Sequence, residues 1–180
     1  MILMLTQCFP SRLGGVESLV SNLALGLSKT EKVIVFADHH HVLHDAIYDN
    51  HHKDKILIRR TGGIKFFRRR KKIKEVKLFI ETQQIKLVIG DSWKSLELGI
   101  EYLNSKKIPV ICLAHGNELL STIPSKKKRI FKTINKVSLV VANSLFTKRL
   151  VDNLSIQNTE VKFVYPGVVD FRNHNSLEVL

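Results

Sequence analysis

Apolar runs alternate with longer amphipathic stretches along most of this chain. Short runs of Val, Ile and Leu predict strands near residues 2–6, 32–37, 55–59, 86–89, 109–113, 138–142 and 161–165. Most of these runs are continuous rather than alternating, which is typical of strands buried on both faces of a parallel sheet. The pattern therefore predicts an α/β fold, a Rossmann-like doubly wound parallel sheet of about seven strands with helices on both faces.

The stretches between the predicted strands carry apolar residues at helical spacing. The first helix is the clearest, because an apolar stripe at i, i+3, i+4, i+7 and i+11 follows a pair of glycines; its members are Val16, Leu19, Val20, Leu23 and Leu27. Further helices are predicted near 66–83, 92–105, 124–135 and 144–154, with Ser92 and Ser144 as N-caps. Residues 38–54 are rich in His and Asp, and we expect an irregular loop there.

The chain has 180 residues and a composition of 44% hydrophobic and 25% charged residues, which suits one globular domain. No apolar run reaches the roughly 18–20 residues that span a bilayer, and the N-terminus has no signal-peptide pattern. Cys8 and Cys112 end predicted strands, where a disulfide is possible but reduced thiols are the simpler interpretation. We therefore expect a cytoplasmic protein.

His115 directly follows a predicted strand, and ligands of open parallel sheets bind outside the carboxyl ends of the strands. An imidazole there can donate or accept a hydrogen bond near working pH, so His115 is the candidate catalytic residue. Glu118 lies three residues further on and is a candidate for holding a hydroxyl. Asp91 ends a neighbouring strand on the same rim as Thr6 and Asn143. Each of these residues is also common in ordinary turns.

Gly14 and Gly15 stand between the first strand and the first helix, where glycines allow a tight turn and a close approach of the backbone to a ligand. The helix that follows offers free N–H groups to a phosphate. Glu17 in its first turn would repel a phosphate and is better suited to sugar hydroxyls or to a structural role. This segment is neither a dinucleotide fingerprint nor a P-loop, and a plain strand–helix turn explains it equally well.

The formal net charge of +13 predicts attraction to polyanions, and much of it is local. Residues 65–77 carry eight basic residues and one acid, on a predicted amphipathic helix. Such a helix can lie on an anionic membrane, with a predicted membrane-facing set of Phe66, Phe67, Arg68, Arg69, Arg70, Lys71 and Lys72. A solvated face on a core-packed helix is the alternative. Nucleic acid is disfavoured, because the run has few interleaved aromatic residues.

Six histidines fall between residues 39 and 52: His39, His40, His41, His44, His51 and His52. A metal site needs ligands that are fixed in geometry and supported by neighbouring groups. A polar loop supplies no such rigidity, so we expect an exposed loop without a metal site.

Taken together, these residues resemble the N-terminal domain of a family 4 glycosyltransferase of GT-B fold. The resemblance covers nearly the whole chain and rests on the order and spacing of seven pieces. They are residues 1–17 with Gly14, Gly15 and Glu17, the end of the first helix at 23–27, and 33–37, 87–91, 109–118, 140–144 and 164–168.

The resemblance implies two Rossmann-like domains that face each other across a cleft, with the nucleotide of a nucleotide-sugar co-substrate on the second domain. It implies that His115 contacts the transferred sugar, that Gly14 and Gly15 approach the donor diphosphate and the acceptor, and that Glu118 orients hydroxyl groups. Transfer would retain the anomeric configuration and need neither a metal nor a cofactor. The acceptor would be a saccharide or a glycolipid, in polysaccharide or cell-envelope assembly at the inner face of the plasma membrane.

The resemblance also implies domain boundaries. Residues 1–170 would form the acceptor-side domain and 171–180 a tail or the start of a linker, with the donor-binding domain absent from this chain. We therefore expect the chain by itself to be inactive, as a fragment, as a truncated product, or as one half of a split enzyme. A non-enzymatic Rossmann-like module that binds a protein or an anionic ligand is the alternative function.

Overall fold

The computed structural model describes residues 1–167, except for the side chains of Lys65 and Phe66. The predicted tail at 171–180, the domain end at 170 and the predicted membrane-facing side chain of Phe66 therefore lie outside the described residues. Seven strands form one sheet: Ile2–Leu5 (β1), Val33–Asp38 (β2), Leu57–Thr61 (β3), Leu87–Gly90 (β4), Val110–Ala114 (β5), Leu139–Ala142 (β6) and Glu160–Phe163 (β7).

All neighbouring strands are parallel, and their order is β3-β2-β1-β4-β5-β6-β7. The chain builds outward from β1 through β2 to β3, then returns to the other side of β1 with β4. This reversal between β1 and β4 is the point at which ligands bind in open α/β sheets. The predicted fold class and strand number are confirmed.

Seven helices connect the strands of the described chain: Gly15–Leu27 (α1), Val42–His52 (α2), Lys65–Thr82 (α3), Trp93–Leu96 (α4), Ile100–Ser105 (α5), Pro124–Ile134 (α6) and Leu145–Asp152 (α7). Two apolar clusters cover the two faces of the sheet, because side chains of a strand alternate between faces. In β1, Leu3 and Leu5 point to the face covered by α3 to α7, whereas Ile2 and Met4 point to α1.

The prediction of an irregular loop at 38–54 is wrong, because α2 occupies most of it. The Nδ1 of His41 accepts a hydrogen bond from the N–H of His44 at 3.3 Å and caps the helix. Asp45, 2% exposed, is the buried residue of this helix, while Val42, Leu43 and Ile47 are exposed. The helix was missed because its aliphatic residues do not face the core.

The predicted helix at 92–105 is two helices, α4 and α5, separated by residues 97–99. The N–H of Gly99 bonds the carbonyl of Leu96 at 2.8 Å, which closes α4. A Cβ on Gly99 would lie 3.1 Å from Ile73 Cδ1 of α3, so glycine permits close packing at this break. Ser144 caps α7 as predicted by accepting from the N–H of Thr147 at 3.1 Å. Ser92 stands at the N-cap of α4, but its side chain makes no capping hydrogen bond.

Within residues 1–167, no helix has both the length and the apolar character required to cross a bilayer.

Gly90 at the end of β4 gives a test of this packing. A Cβ at position 90 would lie 2.8 Å from both Cδ atoms of Leu96, a side chain that is 0% exposed. We expect Gly90→Ala to lower the free energy of unfolding by about 1–3 kcal/mol through overpacking, measured by urea denaturation. Gly26→Ala is the matched control, because nothing lies within 4 Å of its Cβ position in α1. Gly26→Ala should stabilise the protein by about 0.5–1 kcal/mol. If both variants lower the free energy of unfolding equally, the close packing of Gly90 against Leu96 is contradicted.

Candidate active site

The sequence-predicted site residues lie on loops at one edge of the sheet, where the parallel strands end. Leu5 of β1 pairs with Gly90 of β4, which in turn pairs with Cys112 of β5. The ends of β1 and β4 are therefore level, and β5 and β6 continue two residues further and end together at Ala114 and Ala142. The loops after these four strands leave the sheet at the same edge. The sequence order alone implied this shared edge, and the structure confirms it.

The carboxylate of Asp91 joins the loop after β1 to the loop after β4. Its Oδ2 accepts hydrogen bonds from the Thr6 hydroxyl at 2.7 Å and from the N–H groups of Gln7 at 3.0 Å and Cys8 at 3.3 Å. Its Oδ1 accepts from the hydroxyls of Ser92 and Ser95. Asp91 is 3% exposed and both oxygens are occupied. This geometry favours a positioning role for Asp91 over direct contact with a substrate.

His115 is half-buried at the end of β5 and is held by its neighbours from two sides. Its Nε2 lies 2.8 Å from the carbonyl oxygen of Asp91, and its backbone N–H donates to Glu118 Oε1 at 2.8 Å. A carbonyl oxygen can only accept, so Nε2 must carry the proton. When the imidazole is neutral, Nδ1 therefore keeps a lone pair that can accept a hydrogen bond. The described residues provide no hydrogen-bond partner for Nδ1.

Glu118 acts in this structure as a brace for the His115 loop. Its Oε1 holds the His115 backbone, and its carbonyl accepts a hydrogen bond from Trp93 Nε1 at 3.0 Å. Trp93 is 1% exposed and belongs to α4, the helix that follows Asp91. The predicted residues Asp91, His115 and Glu118 thus form one hydrogen-bonded unit.

Two residues after β6 complete this unit: Asn143, which was predicted on this rim, and Thr147, which was not predicted. Asn143 Nδ2 donates to the carbonyl of His115 at 3.4 Å, and the Thr147 hydroxyl donates to Asn143 Oδ1 at 2.7 Å. Gly116 has a φ of +106°, and a Cβ there would lie 3.1 Å from Thr147 Oγ1. The positive φ therefore favours glycine, and a side chain there would also crowd Thr147. Polar residues at the start of a helix are usually read as caps, which hid the role of Thr147.

The glycine turn after β1 encloses a buried carboxylate. Glu17 is 5% exposed, and its Oε1 pairs with Arg12 Nε at 3.0 Å. A Cβ on Gly14 would lie 2.9 Å from Glu17 Cδ, whereas a Cβ on Gly15 would meet nothing within 4 Å. Gly14 therefore makes room for Glu17, and Gly15 leaves open space at the N-terminus of α1. The inward position of Glu17 favours a structural role.

Cys8 connects the glycine turn with Asp91. Burial, reinforced by the negative charges of Asp91 and Glu17, raises the pKa of Cys8 to about 11. The thiol is therefore protonated at neutral pH and is a poor nucleophile. The segment from Thr6 to Cys8 connects the glycine turn to Asp91. Gly14, Gly15 and Glu17 therefore lie at the same edge as the unit of Asp91, His115 and Glu118, which we call the His115 unit.

The prediction that Lys72 faces a membrane is wrong. Lys72 is 2% exposed, and its Nζ donates to the carbonyl of Thr6 and to Asp38 Oδ1 at 2.5 Å. Burial lowers its pKa, while Asp38 opposes that shift. A long side chain on the inner face of α3 reaches the site edge and neutralises Asp38, which the spacing of basic residues did not reveal.

Arg68 and Arg69 are partly buried and form ion pairs with acidic residues of the protein. Arg68 Nη1 pairs with Asp38 Oδ2 at 3.3 Å, and Arg69 Nη2 pairs with Glu97 Oε2 at 2.7 Å. Arg70, Lys71 and the side chain of Phe67 are exposed on α3, and their predicted contact with a membrane stays a prediction. Among residues 1–167, no three His, Cys, Asp or Glu side chains come together as a metal site.

The glycine turn offers a second test. We expect Gly14→Ala to lower the free energy of unfolding by about 1–3 kcal/mol, because its Cβ displaces the Glu17 carboxylate. Gly15→Ala, one residue away, should change it by no more than about 0.5 kcal/mol. Combined with Glu17→Ala, which removes the clashing group, Gly14→Ala should cost less than it does alone. The free energy of unfolding is measured by urea denaturation. If Gly14→Ala lowers it equally in the wild type and in the Glu17→Ala variant, the contact between Gly14 and Glu17 is contradicted.

Solved structures share this architecture at low sequence identity. HepE from Anabaena in complex with UDP-glucose aligns with a TM-score of 0.70 and 16% identity, over 93% of this chain and 44% of that one. The apo lipopolysaccharide outer core galactosyltransferase WaaB aligns with a TM-score of 0.64 and 15% identity, over 96% of this chain and 47% of that one. UGT89C1 from Arabidopsis thaliana, complexed with UDP-L-rhamnose, aligns with a TM-score of 0.65 and 12% identity, over 96% of this chain and 50% of that one. These alignments confirm the GT-B type of the fold.

The chain spans about half the length of these solved structures. The search of curated proteins gives no significant match. The family model described as Glycosyltransferase Family 4 matches residues 13–170, which include the glycine turn, Asp91, His115 and Glu118. The fold and this match together confirm the resemblance seen in the sequence: the chain belongs to Glycosyltransferase Family 4.

Proposed function

We propose that this chain is the acceptor-side domain of a retaining glycosyltransferase. It works with a donor-binding domain to move a sugar from a nucleotide-sugar to a saccharide or glycolipid acceptor. The observation that carries the proposal is the fixed imidazole of His115, whose Nε2 lies 2.8 Å from the Asp91 carbonyl at the edge of the sheet. Solved structures of the same fold were obtained with UDP-glucose and UDP-L-rhamnose, which supports a UDP-sugar as donor.

A neutral His115 suits the charge that develops during sugar transfer. The anomeric carbon becomes oxocarbenium-like, and an imidazolium beside it would raise the energy of the transition state. The Asp91 carbonyl fixes the proton on Nε2, so Nδ1 is the atom that can accept a hydrogen bond from a sugar hydroxyl. In this proposal His115 orients the transferred sugar, while Asp91 and Glu118 hold His115 in place.

The departing diphosphate needs positive or N–H groups, and the glycine turn provides them. Gly15 leaves open space at the N-terminus of the 13-residue helix α1. The side chain of Arg12 is 55% exposed beside this turn and is anchored through Glu17. We propose that Gly14, Gly15 and Arg12 approach the donor diphosphate, with Glu17 as the anchor of Arg12.

The other wall of the cleft would come from the donor-binding domain, in the same polypeptide or in a second one. The loop after β5 and the first turn of α7, which follows β6, expose large apolar side chains at the site edge: Leu120 (50%), Ile123 (57%), Leu145 (43%) and Phe146 (63%). Apolar side chains exposed in this number fit a docking surface for another domain. They also favour the alternative function, a non-enzymatic module that binds a protein.

The role of His115 can be tested in the complete enzyme, that is, this chain together with its donor-binding domain. We expect His115→Ala to lower kcat with UDP-glucose, or with whichever UDP-sugar is turned over, by about a hundredfold. Thermal unfolding should change little, because Nε2 makes its one hydrogen bond to a carbonyl that the backbone of the loop already positions. His44→Ala, an exposed histidine on α2, is the matched control and should retain full activity. Equal activity of both variants would contradict the role of His115.

The need for a second domain gives a separate prediction. The 180-residue chain alone should release no UDP from a panel of UDP-sugars, with or without saccharide acceptors. Addition of the donor-binding domain should restore transfer, and NMR of the product should show the anomeric configuration of the donor. Turnover by the chain alone would disprove the requirement for the second domain. Binding of a protein partner without any turnover in the complete assembly would support the non-enzymatic alternative.

A further inference from the structure

Large apolar side chains are exposed on consecutive loops at the β1–β3 half of the site edge. We call them the apolar rim: Leu13 (94% exposed), Val42 (77%), Leu43 (61%), Ile47 (60%), Ile64 (74%) and Phe67 (59%). They belong to the loop after β1, to the first turns of α2 and to the start of α3. The residues of the His115 unit and the exposed side chains after β5 and β6 lie on the other half of this edge.

Hydrogen bonds hold the three segments of the apolar rim against each other. The Ser11 hydroxyl donates to Asp45 Oδ1 at 2.7 Å, which ties the loop after β1 to α2. The N–H of His39 donates to the Thr61 carbonyl at 2.9 Å, and Arg68 Nη1 reaches the His39 carbonyl at 3.4 Å. The exposed apolar side chains are therefore carried by a braced surface rather than by independent loops.

Helix α2 exposes its aliphatic residues and buries an acid, which is the reverse of an ordinary surface helix. Asp45 is satisfied by the N–H groups of His40 at 2.8 Å and His41 at 3.1 Å and by Arg60 Nη1 at 3.2 Å. Leu43 and Ile47 are spaced i, i+4 and so share an exposed face. Burial of Asp45 fixes this orientation, and it leaves the aliphatic face without a covering element in the described chain.

The charge beside the apolar rim is positive. Arg70 and Lys71 are exposed within the first two turns of α3, whereas Arg12, next to Leu13, is paired with Glu17. The acids of these segments are turned inward into ion pairs: Asp38 with Lys72 and Arg68, Asp45 and Asp49 with Arg60. The acids are thus paired inside, and exposed cations of α3 lie beside the apolar rim.

We propose that the apolar rim is a membrane-docking surface that inserts into an anionic lipid bilayer. Its side chains enter the boundary between headgroups and acyl chains, and Arg70 and Lys71 contact lipid phosphates. This differs from the surface expected from the sequence, because Lys72 is buried and Arg68 and Arg69 are partly buried in ion pairs with Asp38 and Glu97. The proposal does not depend on sugar transfer, since it concerns binding of the chain to lipid.

An anionic bilayer fits this surface better than a protein partner does. A bilayer accepts apolar side chains that point from three separate segments, without the shape complementarity that a protein interface requires. Its negative surface potential also matches the adjacent cations and the net charge of +13. A second copy of the chain would bring the same cations face to face.

The test uses the whole chain and sucrose-loaded vesicles of phosphatidylcholine, with or without about one third phosphatidylglycerol. We expect sedimentation with the anionic vesicles and much less with the neutral ones. The double variant Leu13→Ser, Ile64→Ser should lower the partition coefficient by about tenfold or more. Lys71→Gln should lower it by about fivefold, and the difference should shrink at high salt.

Two control variants locate the effect. Leu78→Ser removes a leucine that is 63% exposed on α3 several turns away from the apolar rim, and Phe146→Ser alters the β6 side of the same edge. Both should bind vesicles like the wild type. If either control loses as much binding as the double variant, or if the double variant binds normally, the proposal is overturned.

Insertion is distinguished from surface adsorption by a reporter. Leu43→Trp places an indole on the rim, and lipids brominated on the acyl chains should quench its emission beyond the quenching of Trp93 in the wild type. Binding without this additional quenching would show electrostatic adsorption only and would overturn insertion. Loss of a dimer on gel filtration in the double variant, with unchanged vesicle binding, would instead identify a second copy as the occupant.

Discussion

The buried carboxylate of Asp91 holds together the part of the molecule on which the candidate chemistry depends. A carboxylate removed from water is costly unless donors replace the lost hydration. Here donors come from two loops: Thr6, Gln7 and Cys8 after β1, and Ser92 and Ser95 after β4. The requirement to satisfy one charge therefore fixes the relative position of the loops at the point where the sheet reverses direction. The backbone carbonyl of the same residue then orients His115.

Lys72 extends this arrangement to the β2 side of the edge. Its ammonium bonds the Thr6 carbonyl and Asp38, so the loop after β1 is held from both sides. A buried lysine and its partner are stable only when they are paired, and removing one partner leaves the other unsatisfied. The basic stretch of α3 is consequently divided. Part of it supports the site from inside, and part of it remains at the surface.

The carboxyl edge of the sheet therefore combines two physical environments. Buried charges brace the loops in the middle, around Asp91 and Lys72. Exposed apolar side chains lie on either side, after β5 and β6 and at the apolar rim. Such an edge is suited to reactants that arrive from different phases, a nucleotide-sugar from solution and a glycolipid from a bilayer. The glycosyltransferase and membrane proposals meet here, although each stands on its own observations.

The fold was predictable because most of its strands are continuous apolar runs, and burial of such strands on both faces leaves few alternatives to a parallel sheet. Helices such as α1 were predictable because their apolar stripes face the core and so appear as helical periodicity in the sequence. Helix α2 was not, because it exposes Leu43 and Ile47 and buries Asp45. Periodicity reports a helix only when its apolar side packs against the protein.

The residue types at the strand ends were visible in the sequence, since topology brings the loops after parallel strands to one edge. The sequence therefore determined the fold class, the edge that carries the site, and His115 as its candidate centre. Only the tertiary structure decided that Asp91, Glu17 and Lys72 point inward and that Arg70 and Lys71 point outward. The direction of a charged side chain depends on which opposite charge or donor lies within about 3 Å, and those partners are distant in sequence.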